Sequence, residues 1–202
     1  MGIIKKAKCC LCEKEIGIIN RTKLQNGQYI CEACKSKAHP FVHYDRCRKE
    51  DINQIIVQIQ EEAEAYALLK DEVEQNQFEC GTYIYKLELC SNKKQFTFES
   101  LETRNYEYHP VFEVDKVLPY TLLNRRTKVE GVVYTALSAK VDNKGKPRLY
   151  YVKFVYDDPR IQEVKIKFEG AYVKEARVFC NALNEFIQGH KAINTKSKTL
   201  DE

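Results

Sequence analysis

The spacing of apolar positions along the chain predicts a long helix followed by a series of strands. From Asp51, a candidate N-cap, apolar residues recur at the helical period as far as Val73. From about Phe78 the period changes to two, and apolar residues alternate with polar ones as in strands that bury one face. Candidate strands lie at 83–90, 96–98, 111–114, 117–124, 130–141, 148–156 and 161–168.

A second helical stripe follows Gly170 and is predicted to end at Gly189. Its apolar residues share one face, and an open end of the preceding sheet is the economical place to bury that face. Residues 191–202 are polar, so we expect a loose tail. The pattern predicts an α+β protein whose short strands form a barrel or a sandwich.

Cysteine spacing near the N-terminus carries the strongest chemical signal. Two C-x-x-C pairs are separated by eighteen residues, and Asn26-Gly27 between them predicts a hairpin turn with positive φ at both central residues. Such a hairpin returns the second pair to the first, and four thiolates complete the tetrahedral shell that zinc prefers. A closed shell leaves no position for water or substrate, so the zinc is structural. The predicted ligands of this single Zn²⁺ are Cys9, Cys12, Cys31 and Cys34.

Three alternatives to this single metal site remain open. Cys10 competes with Cys9 for the first ligand position, although only Cys9 gives the two-residue gap to the next cysteine. A redox pair is another option, but thioredoxin-type chemistry needs a βαβ frame that the pattern does not supply. A second metal would need ligands on one helix face, at the spacing of His39, His43 and Cys47.

The remaining cysteines and histidines offer little for catalysis. Cys80, Cys90 and Cys180 fall inside apolar strand or helix patterns, where buried and inert thiols are expected. His109 lies in a predicted loop, and a cysteine–histidine nucleophile pair is an enzymatic option that the residue types leave open. The chain has no P-loop, G-x-G-x-x-G, H-E-x-x-H or G-x-S-x-G motif. We therefore expect no enzyme, and keep an enzyme without a recognisable motif as an alternative.

Composition and charge describe a folded protein without naming a partner. The 202 residues are 44% hydrophobic and 31% charged, and the formal net charge is +4. Basic residues collect towards both ends and acidic residues between 51 and 80, which indicates pieces with different surroundings. The nine cysteines are an odd number, and no apolar secretory segment follows Met1, so a cytoplasmic protein without a transmembrane segment is expected.

The cysteine-containing segment resembles an N-terminal zinc finger of small bacterial proteins that is known only as a domain of unknown function. The residues that carry the resemblance are the C-x-x-C-Glu-Lys-Glu-Ile-Gly run at 9–17, the pairs at 20–21 and 23–24, Asn26-Gly27 and the run at 30–34. The finger of that family is similar to the treble-clef type. The resemblance therefore implies a knuckle, a hairpin and a helix whose first turn carries the second cysteine pair.

The resemblance also implies an architecture for the rest of the chain. In that family the finger is often followed by a helix and a pleckstrin-homology-like, or GRAM-like, barrel, and residues 112–117 and 120–123 are similar to its middle strands. An antiparallel seven-stranded PH-like barrel with a C-terminal capping helix follows from this likeness. The implied parts are a zinc finger at 5–38, a helical connector at 39–77, a PH-like β domain at 78–190 and a polar tail at 191–202.

Barrels of this kind resemble domains that bind lipid headgroups or peptides. We therefore expect a binding or adaptor protein whose partner is a protein or an anionic lipid headgroup, with peripheral membrane attachment in the second case. Headgroup binding needs a basic cluster at a loop rim, whereas short basic runs are more often only solvated turns. The candidates are Lys93, Lys94, Arg125, Arg126 and Lys128, with Lys144, Lys146 and Arg148 as a second set.

Nucleic acid is the alternative partner, because the finger carries many basic residues that could contact phosphates. Against it, no recognition helix rich in Arg, Asn or Gln follows the finger, and four zinc-bound thiolates offset part of its charge. The basic residues of the finger are Lys5, Lys6, Lys8, Lys14, Arg21, Lys23, Lys35 and Lys37.

Overall fold

The N-terminal region consists of two short hairpins and one turn of helix. The computed structural model describes residues 6–120, 132–161 and 163–198 of the chain. Ala7 pairs with Ile16 in the first hairpin, and Thr22 pairs with Ile30 in the second. The elements are β1 (Ala7–Lys8), β2 (Glu15–Ile16), β3 (Arg21–Lys23), β4 (Tyr29–Cys31) and α1 (Glu32–Lys35).

Helix α2 (Lys49–Ala67) follows a 3₁₀ turn at Tyr44–Arg46. Its N-cap is Arg48, whereas the sequence predicted Asp51. Asp51 lies in the first turn, and its carboxylate accepts a 2.6 Å hydrogen bond from the backbone N–H of Arg48, which satisfies a donor at the helix start. The apolar stripe is buried against the rest of the protein through Ile52, Ile55 and Ile59.

The residues after α2 form a strand, although the helical pattern continues to Val73. The helix ends at Ala67, and a 3₁₀ turn at Lys70–Glu72 leads directly into a strand that begins at Val73. Val73 fits the helical and the strand period equally well. Its pairing with Cys90 decides the outcome, because the neighbouring strand supplies partners for the backbone groups.

Four antiparallel strands form the first sheet, in the order β5-β6-β7-β8. One row of its inner face runs across three strands, where Leu89 pairs with Phe96 and Phe96 pairs with Phe112. These three side chains are buried, as expected for the alternating pattern of the sequence. The strands are β5 (Val73–Cys80), β6 (Tyr83–Cys90), β7 (Gln95–Glu99) and β8 (Val111–Glu113).

The second sheet has the order β10-β11-β12, and a short strand, β9, pairs with the end of β11. The predicted strands at 117–124 and 130–141 are shorter where they are described, and their parts at 121–131 lie outside the described residues. The predicted turn at 142–147 joins β10 and β11 as expected. The strands are β9 (Val117–Leu118), β10 (Thr135–Val141), β11 (Pro147–Tyr156) and β12 (Glu163–Glu169).

Helix α3 (Val173–Lys198) closes the fold and packs on both sheets. Its Phe179 ring lies 5.2 Å from the ring of Phe78 and 5.6 Å from the ring of Phe168. The prediction that Gly189 ends this helix is wrong, because a glycine inside a helix costs only about 1 kcal/mol and no proline follows to stop it. Among the described residues, no helix combines the length and the apolar character needed to cross a bilayer.

The finger, α2 and both sheets share one hydrophobic core. Phe112 lies at its centre: its ring stacks on Phe98 at 5.6 Å and meets Phe154 of the second sheet edge-on at 5.1 Å. His39, which follows the finger, contacts the same ring at 5.5 Å. The segment after α1 is therefore fastened to the sheets by aromatic packing.

The α+β class is as predicted, but the seven-stranded barrel is not confirmed. Within the part of the chain that is described, neither sheet closes on itself, and no backbone ladder joins one sheet to the other. Side chains link the two sheets instead. The Tyr85 hydroxyl donates a 2.7 Å hydrogen bond to the backbone carbonyl of Lys167, and the Tyr156 hydroxyl accepts one of 3.3 Å from the Glu113 N–H. Alternation along a strand predicts a buried face, but it does not determine whether the sheet edges meet.

Candidate metal centre

The first cysteine pair lies in the turn between β1 and β2. The backbone N–H of Cys9 donates to the carbonyl of Lys14, and the N–H of Glu13 donates to the carbonyl of Cys9, both at 2.9 Å. Glu13 adopts the left-handed conformation, with φ of 61°, which bends the chain sharply just after Cys12. This turn holds the side chains of Cys9 and Cys12 on the same side.

The second pair lies at the junction of β4 and α1. Cys31 is the N-cap residue of the helix and Cys34 lies inside it. The hairpin that brings them back turns at Gly27, where φ is 81°. Asn26 does not share the positive φ that the sequence predicted, because the hydrogen bond from Leu24 N–H to the Gln28 carbonyl closes a wider loop than a two-residue turn.

Backbone contacts hold the two hairpins together. Cys9 forms a parallel bridge with Tyr29, and the N–H of Cys10 donates to the Tyr29 carbonyl at 2.8 Å. The N–H of Cys31 points at the Cys9 sulfur at 3.4 Å. A donor aimed at a sulfur stabilises negative charge there, so these contacts favour a thiolate.

The four sulfur atoms form one compact group. The Sγ atoms of Cys9, Cys12, Cys31 and Cys34 all lie within 4.8 Å of one another, and those of Cys12 and Cys31 are 3.7 Å apart. Four zinc–sulfur bonds of about 2.3 Å in a tetrahedron place the sulfurs about 3.8 Å apart. The donor set and its spacing therefore fit a tetrahedral zinc ion.

The thiols affect one another electrostatically. Burial acts to raise the pKa of Cys9, but backbone N–H groups, among them those of Cys12 and Cys31, outweigh it and lower the pKa to about 6. Burial raises the pKa of Cys31, and burial followed by the neighbouring thiols raises that of Cys34. The first thiolate forms readily, but its negative charge and the burial of the site oppose ionisation of the next thiol. A bound divalent cation would offset the repulsion between the thiolates.

The structure separates these four cysteines from the competing candidates. Cys10 is outside the sulfur group, and burial raises the pKa of its thiol. His39, His43 and Cys47 do not lie on a helix, and among the described residues no second group of three or more metal-binding side chains comes together. The Nδ1 atom of His39 instead accepts a hydrogen bond from the Phe41 N–H, and burial lowers its pKa to about 3.

The cysteines of the strands and of α3 are buried, as their apolar surroundings predicted. Cys80, Cys90 and Cys180 are buried free thiols. Burial raises the pKa of Cys80 to about 11 and also raises that of Cys180, whose sulfur lies 3.4 Å from the Thr135 hydroxyl. A protonated thiol is a poor nucleophile, so a structural role fits Cys80 and Cys180.

The predicted basic clusters lie in different parts of the molecule. Lys93 and Lys94 occupy the turn between β6 and β7, where the carbonyl of Lys94 accepts a 2.8 Å hydrogen bond from the Val114 N–H. The second set surrounds the β10–β11 turn and is exposed. Arg125, Arg126 and Lys128 lie outside the described residues, so their position relative to these lysines stays a prediction.

The sequence did not predict a cleft of about 540 Å³ between the end of α2 and the outer face of the first sheet. Tyr66, Gln75 and Glu88 are among its lining residues. The sequence does not predict this cleft because residues 73–77 fall within the predicted helical connector, and only the pairing of β5 with β6 places Gln75 beside Glu88. The polar Gln-x-Gln spacing at 75–77 was the available signal, and it is weak.

Comparison with known families gives a match only to the N-terminal part of the chain. Residues 8–56 match the family described as Domain of unknown function (DUF4428), which confirms the resemblance seen around the cysteines. The match reaches past the finger into α2, in keeping with a hydrogen bond from Gln25 N–H to the Cys47 carbonyl that packs the intervening segment back onto the β3–β4 hairpin. Neither the curated proteins nor the solved structures provide a match to the chain.

Proposed function

We propose that this protein is a non-enzymatic binding protein in which one structural zinc ion holds an N-terminal finger of treble-clef type. The grouping of four cysteine sulfurs within 4.8 Å carries the proposal. Four thiolates would complete the zinc shell and leave no site for a water or substrate, so the metal would supply folding energy and no chemistry. The zinc-bound finger would then position the segment that runs from His39 into α2 against the hydrophobic core.

Metal analysis of the purified chain tests the zinc site. We expect one zinc per chain, and we expect Cys12→Ser to lose it, because three thiolates hold zinc less tightly than four. Cys10→Ser is the matched control, since Cys10 is adjacent in sequence but outside the sulfur group. Equal zinc content in the two variants would contradict the proposed ligand set.

The sheets and α3 support a pleckstrin-homology-like binding module as the second part of the proposal. One four-stranded antiparallel sheet, a second sheet built on β10, β11 and β12, and a C-terminal helix that contacts both follow the order expected of such a module. Open sheet edges are compatible with it, because the core lies between the sheets.

The β10–β11 hairpin is the surface that best fits an anionic lipid headgroup. It carries four exposed basic residues and one acidic residue around a single turn, and it borders a cleft of about 520 Å³. Asp142 shapes the turn by accepting hydrogen bonds from the N–H groups of Lys144 and Lys146. Val141 is 54% exposed beside these charges, so an apolar side chain and cations face outward together. The basic residues are Lys140, Lys144, Lys146 and Arg148.

Charge pairing on the finger makes a membrane a better partner than nucleic acid. Lys6 pairs with Glu15 at 2.9 Å, Lys35 with Glu32 at 3.4 Å, and Lys37 with Glu107 at 3.8 Å. Phosphate contacts would have to displace these carboxylates. On the hairpin, Arg148 has an acidic partner in Asp142 at 3.4 Å, while no ion pair is formed by Lys140, Lys144 or Lys146 with a described residue.

Co-sedimentation with liposomes across a salt series tests the lipid proposal. We expect salt-sensitive binding of the zinc-loaded protein to anionic vesicles and none to neutral vesicles. Each lysine near an anionic surface contributes about 1 kcal/mol, so the double variant Lys144→Ala, Lys146→Ala should bind roughly thirtyfold more weakly. The double variant Lys14→Ala, Lys23→Ala removes equal charge from the exposed finger and serves as the control.

Two results would overturn the lipid proposal. Equal loss of binding in both double variants would show that only total charge matters. If the protein does not bind anionic vesicles even at low salt, a protein partner is the remaining hypothesis. Capture of a protein by the zinc-loaded chain, but not by the zinc-free chain, would then assign the adaptor role to the finger.

A further inference from the structure

The cleft beside α2 is built from one row of the first sheet. Gln75 pairs with Glu88, Glu88 pairs with Thr97, and Thr97 pairs with Val111, so the four residues cross all four strands on one face. All four line the cleft. The last turns of α2 form one wall, and the segment at 107–109 forms the other. A continuous row of backbone pairs makes the floor rigid.

The size of the cleft suits a small molecule. Its volume is about 540 Å³, within the range of roughly 300 to 1,000 Å³ that is typical of ligand sites. The cleft around His39 and Arg160 has a volume of about 30 Å³, enough for little more than one water molecule. The larger cleft shares no lining residue with the β10–β11 hairpin, so this inference is independent of lipid binding.

The charges in the cleft are negative. Glu88 lies in the middle of the floor, and its carboxylate accepts a 3.0 Å hydrogen bond from Gln75, but it forms no ion pair with a described residue. The nearby Lys86 is paired with Glu99 at 2.7 Å, and Glu107 of the opposite wall is paired with Lys37 at 3.8 Å. No lysine or arginine lines the cleft. A cation is therefore the complementary ligand charge.

The walls are apolar and aromatic. Tyr66 is only 7% exposed, and its hydroxyl has no hydrogen-bond partner among the described residues, although such a group is normally satisfied when buried. Burial lowers the pKa of His109, which keeps this imidazole neutral and able to accept a hydrogen bond near neutral pH. The apolar and aromatic lining consists of Ala63, Tyr66, Ala67, Val73, Tyr108 and Val111.

We propose that this cleft binds a small organic cation, in which an ammonium group pairs with Glu88 and an apolar or aromatic body packs between Tyr66 and Tyr108. The acceptors Glu88, Glu107 and His109 surround the charged end. The Tyr66 hydroxyl gains a partner in the bound state. The aromatic rings supply flat apolar surface and attract the cation through their faces.

Titration of the zinc-loaded full chain with two matched probes tests this site. Tryptamine is a cation and indole-3-propionate an anion on nearly the same aromatic body. In ¹⁵N-resolved NMR spectra we expect tryptamine to shift the amides of residues 75, 88, 97 and 109, and indole-3-propionate to leave them unchanged. Loss of a charge-assisted hydrogen bond should make binding about tenfold weaker in Glu88→Gln.

Two further variants distinguish this site from general charge attraction. Glu79→Gln removes an exposed carboxylate from the same sheet outside the cleft and should leave tryptamine binding unchanged. Tyr66→Phe keeps the ring and removes the hydroxyl, so binding should weaken by a few-fold. Equal binding of both probes, no shift with tryptamine at about 10 mM, or wild-type affinity in both Glu88→Gln and Tyr66→Phe would overturn the proposal.

Discussion

The finger and the two-sheet region reach a folded state by different means. In the sheets, large aromatic rings such as Phe96, Phe112 and Phe154 are fully buried and lie within 5.1 to 5.5 Å of one another. The finger buries smaller side chains, among them Ile16, Leu24 and Ile30, around four cysteines. Small units cannot bury enough apolar surface to offset their conformational entropy, and a metal supplies the difference.

The contacts that connect the finger to the sheets therefore matter for the stability of both regions. His39 packs on Phe41 and Phe112, and the carbonyl of Ser36 accepts a 3.0 Å hydrogen bond from Glu107 N–H. The His43 N–H also donates to the carbonyl of Arg160. The finger therefore has packed neighbours, and changes in the sheets should reach it.

Removal of zinc should have the largest effect and should separate the two regions. Zinc binding to finger peptides is worth on the order of 10–16 kcal/mol, so a chelator should unfold the segment from β1 to α1. The aromatic core should hold the sheets together. We expect NMR spectra to lose the dispersed amide signals of the finger and keep those of β11 and β12.

Unchanged finger signals in the presence of excess chelator would contradict this. Loss of dispersed signals from the whole protein would show instead that the two regions fold as one unit. The Cys10→Ser protein serves as the control, since its finger should respond to chelator as the wild type does.

Phe112→Ala should have the next largest effect, because it removes a ring that lies where the segment after the finger meets the sheets. Truncation of a buried phenylalanine typically costs about 3–5 kcal/mol, and this ring also contacts His39 at 5.5 Å. Urea denaturation of the zinc-loaded protein should show a fall in the free energy of unfolding of that size. A matched truncation at the 57% exposed Val178, Val178→Ala, should change it little.

A loss below about 1 kcal/mol would show that the core repacks around the missing ring. Faster amide exchange in the 39–47 segment of Phe112→Ala would support the contact between the regions. Unchanged exchange there would show that this segment does not depend on the ring.

Acidic pH should destabilise the folded protein at His39, which packs between the finger and the sheets. Burial lowers the pKa of His39 to about 3 in the folded protein. Asp158 raises this pKa slightly and Arg160 lowers it slightly. In an unfolded chain the pKa of histidine is about 6.5. Between these values the unfolded state holds more protons, so stability falls as pH decreases. His39→Asn keeps an acceptor for the Phe41 N–H and removes the titration, so its stability should fall less steeply.

Urea midpoints measured between pH 7 and pH 5 compare the two slopes. Protonation of the cysteines contributes equally to both proteins, so only the difference in slope reports on His39. Identical slopes would show that the imidazole is already protonated in the folded state or that the segment opens before it titrates.

Lys6→Ala should have the smallest effect. Lys6 and Glu15 form a 2.9 Å ion pair across β1 and β2, but both side chains are largely exposed and the pair is screened by salt. We expect no measurable change in zinc content or in the thermal midpoint of the finger. A clear loss of either would mean that surface charge, and not only the metal, holds this hairpin.

Local patterns predicted much of the site and of the strands. The two C-x-x-C pairs and Gly27 sufficed to place the four sulfurs together, because a hairpin and one helical turn span the whole metal centre. Alternation predicted β6, β7 and β11 within one or two residues. The helix ends were less predictable. Val73 fits the helical period, but its pairing with Cys90 places it in a strand, and Gly189 lies inside a helix that no proline stops.

The sequence by itself determined the grouping of the four cysteines, the α+β class and the buried face of each long element, since these depend on residues close together in the chain. Tertiary structure alone decided that the sheets do not close on each other within the described residues. It also decided that His39 packs against Phe112 and that Gln75, Glu88, Thr97 and Val111 form one row. Strand register and the approach of α2 to the sheet join residues far apart in sequence. Pairing and packing energies select such contacts among many alternatives, and no local pattern records that choice.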